Sequence, residues 1–383
     1  MIDLKSLSPE WIDEKREKYN KDPGLIENMI YALHLLEHLK LSGLDFIFKG
    51  GTSLILMLEE PQRFSVDIDI IVRPDMTRGK LESHISKILE SSNFTGIRLD
   101  ERRSYKEGVP KAHYAFSFQS NVSTKNQKGE VIAKPQKEIL LDILFADSHY
   151  AVIIEKPVET EWLTTEGEIV TVKMPDICSI AGDKLTAFAP NTTGVPYHRE
   201  GINNKGETIR SEMFMEIMKQ AFDVGCLFNL IEDLDTFKQS YRATARAEIE
   251  YRSERGIISV DEVAKDTIAT ALVLARNNTQ INADDRVIYS YLQKGIGQFG
   301  HYVYAANFRI EQAQVAVAKA AYLAAIVLTN ADVLERFDSK IPVKEYIINH
   351  PDHNFLNKQL KFVAKGEALF YWKRTVALLF DGE

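Results

Sequence analysis

Cysteine is nearly absent from this chain of 383 residues, with Cys178 and Cys226 the only two. Two distant cysteines make neither a zinc-ligand spacing nor a disulfide framework, which excludes a cysteine-stapled secreted fold and favours a reducing cytoplasm. Positive charge is not in excess either. Lys and Arg number 47 against 55 Asp and Glu, a formal net charge of −8. That balance excludes a nucleic-acid grip spread over the whole surface and leaves only a local basic channel open. No apolar run reads as long enough to span a bilayer, the opening MIDLKSLSPEWIDEKREKYN lacks a signal-peptide core, and no internal repeat occurs. What remains is ordinary for a globular protein: 45% apolar and 27% charged residues. The length predicts two domains, placed at residues 1–175 and 176–383, the first a mixed α/β unit and the second mainly helical.

The stretch FIFKGGTSLILMLEEPQRFSVDIDIIV, from Phe46 to Val72, carries the densest signal. It reads as a short strand, a turn made of Gly50, Gly51, Thr52 and Ser53, a brief apolar helix, and a second strand bearing Asp67 and Asp69. Side chains on a strand alternate, so the two aspartates project together while Val66, Ile68 and Ile70 face the other way. Two carboxylates a few ångströms apart repel one another, which a cation between them or surrounding water relieves. Oxygen ligands suit magnesium, which typically takes one or two carboxylates together with substrate phosphates. The glycines supply the complementary half: a strand, two glycines and a helix N-terminus let backbone N–H groups approach an anion. Against this stands a plain pair of strands with a solvated polar face.

GGTS followed by Arg63, Ser65, Asp67, Ile68 and Asp69 resembles the nucleotidyltransferase superfamily, and within it the AbiEii/AbiGii-type toxins, including the MenT-like ones. In that branch a GG-[ST] loop precedes an R-x-S-x-D-I-D strand. The resemblance implies a mixed-sheet nucleotidyltransferase fold whose helical C-terminal domain completes the active-site cleft. It further implies magnesium-dependent transfer of a nucleoside monophosphate from a nucleoside triphosphate. The acceptor it suggests is RNA, a tRNA end in particular, with a cognate antitoxin as partner. Gly50, Gly51, Thr52, Ser53 and Ser65 are then nucleotide-binding candidates, with Asp67 and Asp69 as metal ligands and catalytic residues. Ser65 is also a candidate for modification, since negative charge there would act on the metal pair. The alternatives are a small-molecule nucleotidyltransferase of the antibiotic-modifying kind and a non-catalytic nucleotide-binding scaffold.

Elsewhere the chain offers weaker signals. Helical spacing of Ile26, Met29, Ile30, Leu33, Leu36 and Leu39 predicts a helix over 24–40 that Gly43 stops. His34, Glu37 and His38 on it spell H-x-x-E-H, the pattern of the inverted zinc proteases. No third protein ligand of that kind of site is evident, and the reading adopted is solvated helix histidines. Strands are predicted at AHYAFSFQ and EILLDILF, the latter apolar on both faces as a central strand should be. Asp142 interrupts it, either at an exposed or lysine-paired strand end or as a third acidic residue beside Asp67 and Asp69.

Beyond Asp176, a helix carries Ile177, Ile180, Ala181, Lys184, Leu185 and Phe188 on one stripe. A lysine there either snorkels to solvent or, as the resemblance of GDKLTAF implies, contacts the triphosphate, with Asp183 a weaker neighbour. The segment 189–210 reads as a long loop bearing His198, Arg199, Lys205 and Arg210, a lid, an acceptor contact or a plain surface loop. In the next helix Lys219 and Asp223 either form an exposed pair or, by the family's K-D-x-x-D pattern, place Asp223 as base or orienting group for the acceptor hydroxyl. Gln220 stands where that pattern has Asp. The remainder reads as helical, with the basic and aromatic segment after Leu356 taken as an amphipathic helix with a solvated basic face.

Overall fold

Two units divide the chain, one of residues 1–148 with 153–176 and one of 149–152 with 177–383. The structure, a computed structural model, describes every residue except 107, 126–130, 203–205, 253–257, 278, 280–281, 306 and 381–383.

The first unit begins with α1 (Pro9–Tyr19) and α2 (Pro23–Leu41). Asp22 caps α2 by accepting from the Leu25 N–H at 2.9 Å, and Pro23 sits where its missing N–H is harmless. Buried residues run round the helix from Ile26 to Leu39, with His34 and His38 among them. The two histidines are therefore not solvated. The polar residues give α2 a helical pattern in sequence, yet the helix is covered by α1, α4 and the sheet, so its charged and imidazole groups are buried too. Burial, with neighbouring His38 adding to it, pushes the His34 imidazole down to about 3, which keeps it neutral.

Short β1 (Ile47–Lys49) leads into α3 (Gly50–Met57), and β2 (Ile68–Val72) returns antiparallel to β1. Then come α4 (Arg78–Ser91), β3 (Phe94–Leu99) and β4 (Lys111–Gln119). A small ribbon of β5 (Thr124–Lys125) and β6 (Val131–Ile132) precedes β7 (Gln136–Phe145), β8 (Ile153–Pro157) and β9 (Thr171–Pro175). Seven of these strands form one mixed sheet in the order β3-β4-β7-β2-β1-β9-β8, with β2 parallel to β7 and β1 parallel to β9. The fold is the α/β mixed-sheet arrangement that the sequence predicts. One detail differs. β7 is central in order, but only its Ile139, Leu141 and Ile143 side is buried, while Leu140 is 40% exposed. Because that second face is open, Asp142 meets no dry apolar environment.

The second unit is mainly helical: α5 (Ile177–Ala187), α6 (Phe214–Leu227), α7 (Leu234–Glu250), α8 (Val260–Arg276), α9 (Ala283–Phe299), α10 (Ile310–Thr329), α11 (Leu356–Leu360) and α12 (Glu367–Phe380). Alanine-rich α10 is its centre, packed against α6, α8 and α12, because small side chains let helices approach closely. By length and composition α10 does qualify as a membrane span, contrary to the expectation that no stretch would. Most of it is buried against those neighbours. Between α5 and α6, part of the expected loop is a ribbon, β10 (His198–Ile202) paired antiparallel with β11 (Thr208–Glu212). Its β11 residues are all exposed, so no apolar alternation announces it. Lys205 lies outside the described residues. The segment before the ribbon is fastened: buried Asp266 accepts from the Asn191 backbone N–H at 2.8 Å and from Thr192 Oγ1 at 2.9 Å. α12 is not amphipathic at its start, since Phe370, Tyr371 and Trp372 are all buried. Its cations bind within the unit, Lys373 to the Glu345 carbonyl at 2.6 Å and Arg374 to Glu335 at 2.6 Å.

Candidate active site

The strand–glycine–helix turn of the first unit is shaped by what it touches. Gly50 has φ +81°, a left-handed conformation that favours glycine. A Cβ there would lie 2.1 Å from the Asp69 Oδ2 atom, and one on Gly51 would lie 2.5 Å from Arg63 Nη2 and 2.8 Å from Ser65 Oγ. Gly50 requires glycine because the aspartate strand presses directly on the turn, whereas a side chain at Gly51 would have to displace the Arg63 guanidinium and the Ser65 hydroxyl. Thr52 and Ser53 are fully buried, and their hydroxyls hold the turn's own backbone: Thr52 Oγ1 donates to the Asp67 carbonyl and Ser53 Oγ to the Gly50 carbonyl at 2.8 Å. That leaves the first N–H groups of α3, which have no partner inside the helix, as the donors an anion could meet.

Asp67 lies immediately before β2, exposed, and Asp69 is inside it, half-buried; Ile68 and Ile70 point into the core. Sheet register then extends the site. Lys49 on β1 stands opposite Asp69, Asp69 stands beside Asp142 on β7, and Asp142 stands opposite His113 on β4. Direct cross-strand partners share a face, so Lys49, Asp69, Asp142 and His113 form one row across four strands. Neighbouring strands lie about 5 Å apart, which sets the spacing of the two carboxylate-bearing residues. His113 Nδ1 is 2.6 Å from Asp142 Oδ1. Asp142 is therefore both a register neighbour of the aspartate strand and a partnered residue, its partner being a histidine and not a lysine. Sequence reasoning passed over His113; only the pairing of β4 with β7 across the intervening segment reveals it.

The donor set fits a hard cation. Asp67, Asp69 and Asp142 offer oxygen alone, on a half-open face beside a turn with anion-accepting geometry, and magnesium suits that chemistry. Ser65 lies against Gly51, at the same corner.

In the second unit, Lys184 on α5 is 6% exposed and forms an ion pair with Asp223 on α6 at 2.9 Å, with Gln220 Oε1 at 3.4 Å. Lys184 thus does not snorkel, and Asp223 is not half of an exposed pair with Lys219. Lys219 instead lies 3.8 Å from Glu216 and over the Tyr302 ring. Asp183 accepts from the Tyr150 hydroxyl at 2.7 Å. A buried lysine and aspartate satisfy each other at close range, and removing either would leave the other's charge dry.

No curated protein matches this chain. A family model does: that of the nucleotidyl transferase AbiEii toxin, of type IV toxin–antitoxin systems, aligns with residues 34–295. The match takes in the glycine turn, the aspartate strand, Asp142, Lys184 and Asp223, and on it the chain belongs to the AbiEii nucleotidyltransferase toxin family.

Proposed function

We propose that this nucleotidyltransferase uses magnesium to move a nucleoside monophosphate from a nucleoside triphosphate onto an RNA acceptor, a tRNA end being the favoured one. The observation that carries the reading is the contact between Gly50 and Asp69. It brings the turn that would accept phosphate and a carboxylate that would hold the metal to one corner. Asp67, Asp69 and Asp142 would hold the magnesium, which when bound neutralises charge developing on the departing pyrophosphate. The backbone at Gly50 and Gly51, with Ser65 beside it, would orient the triphosphate. The acceptor hydroxyl forms a new bond to the α-phosphorus, the bond to the bridging oxygen breaks, and the hydroxyl proton passes to a base. By family resemblance Lys184 is assigned to the triphosphate and Asp223 to the acceptor hydroxyl. Most of the rate enhancement comes from positioning and fixed charge.

Support for a nucleic-acid acceptor is local, as a net charge of −8 demands. In the second unit Arg199, Arg210 and Arg252, the last of them paired with Glu248, line one polar cavity with His198 and Glu200 at the β10–β11 ribbon. Guanidinium groups there suit phosphate oxygens. As a toxin of this family the protein is expected to act in the cytoplasm and to be opposed by an antitoxin. The experiment incubates the chain with each α-labelled nucleoside triphosphate, magnesium and total bacterial RNA, and separates the products by size. Label on tRNA-sized RNA supports the reading and names the nucleotide. Label confined to a small molecule would replace the acceptor, and nucleotide binding without any transfer would reduce the protein to a scaffold.

A further inference from the structure

The H-x-x-E-H segment of α2 plays no part in nucleotidyl transfer as described above, and the structure buries all of it. His34 and Glu37 are each 2% exposed and His38 8%. One ligand atom from each of the three falls within 4.8 Å of the others. Positions 34, 37 and 38 achieve this because residues three and four apart share a helix face.

The surroundings dispose each group toward a ligand. Glu37 Oε1 accepts from the Ile2 backbone N–H at 2.8 Å, which fixes the carboxylate and leaves Oε2. His38 Nδ1 is 3.1 Å from Ser91 Oγ. That hydroxyl also lies 3.1 Å from the Lys87 carbonyl, and when it donates there it accepts from His38. In that arrangement His38 carries its proton at Nδ1 and presents the Nε2 lone pair. An outer hydrogen bond of this kind is what orients an imidazole that binds a metal. His34 completes the set. Its ring lies between Tyr31, edge-on at 6.3 Å, and Phe94, stacked at 5.9 Å, and neither of its nitrogens has a hydrogen-bond partner. A buried imidazole with both nitrogens unsatisfied is costly unless something else takes up its lone pair.

We propose that His34, Glu37 and His38 bind one divalent transition-metal ion, zinc, as a structural site separate from the magnesium carboxylates. Two imidazole nitrogens and one carboxylate oxygen favour zinc over magnesium or calcium, and three protein ligands leave a position for water. The ion would tie α2 to the segment at Ile2 through Glu37 and to α4 through the Ser91 bond to His38. Its effect falls on the stability of the first unit and not on the transfer chemistry.

The test uses the full-length chain without a histidine tag, purified by gel filtration in buffer free of chelator, and measures bound metal. One zinc per chain is expected, retained against excess magnesium and in the Asp67→Ala variant, which separates this site from the magnesium site. After removal by chelator, cobalt(II) should restore binding with visible absorption bands of low-coordinate geometry, and zinc should raise the unfolding temperature. His34→Leu should bind no zinc and, having lost the unsatisfied imidazole, should unfold at a higher temperature than the metal-free wild type. Should His34→Leu fail to fold, the cobalt titration of the wild type still decides. Wild type that carries only trace metal, gives no visible absorption with cobalt and shows no thermal response to zinc would overturn the proposal.

Discussion

In the first unit Asp67 and Asp69 stand on a half-open strand face with Asp142 in register, whereas in the second Asp223 is 1% exposed with the Lys184 ammonium 2.9 Å away. Both regions concentrate charge, but under different physics. Carboxylates near water tolerate each other and can exchange a cation, so their charge is available to a ligand. A dry pair depends on its own partner, and each member becomes a liability once the other is gone. Substitutions should therefore hurt chemistry alone in the first region, and folding as well as transfer in the second.

The sharpest break of that contrast is Asp69→Ala. Transfer is expected to fall about a thousand-fold, the scale of losing one well-placed electrostatic group, with the unfolding temperature nearly unchanged. Rates and melting curves on the same sample check both halves. Asp223→Ala should differ in that it also lowers stability, by about 3–5 kcal/mol, because Lys184 is left charged and buried. Urea unfolding would show this, and the paired change Lys184→Met with Asp223→Leu should recover most of the loss. Activity of that double variant then reports whether the pair does anything beyond holding the unit together.

A Gly50→Ala variant sharpens the first half. Its Cβ would meet Asp69 Oδ2 at 2.1 Å and its φ is +81°, so the carboxylate must move. A displaced group of this kind costs on the order of a hundred-fold in rate, with no titratable residue removed. The smallest effect is expected for His113→Ala. Loss of its 2.6 Å bond should loosen Asp142 and raise the magnesium requirement by about ten-fold, read from the magnesium dependence of transfer.

Local pattern made much of this legible. The turn, the aspartate strand and the helix over 24–40 are contiguous in sequence, and their spacing alone places Asp67 and Asp69 on one side. Partners set by tertiary register were not. Asp142 was readable as a misplaced charge in an apolar strand, but its neighbour His113 comes from an antiparallel pairing that no local rule encodes. The burial of His34 and His38 was missed because a histidine in a helical pattern is equally compatible with water or core. The ribbon was missed for the opposite reason, since β11, exposed along its whole length, has no alternation to read. Lys184 shows the same limit: its place in an apolar stripe was evident, its partner Asp223 on another helix was not.

The most direct test of the account is the metal dependence of transfer. Wild type and Asp67→Ala would each be given labelled nucleoside triphosphate and RNA across a magnesium series, with a chelator control. The account predicts transfer that requires magnesium, stops with chelator and is nearly abolished in the variant. Transfer that persists under chelator, or an Asp67→Ala variant that works at the wild-type rate, would contradict it.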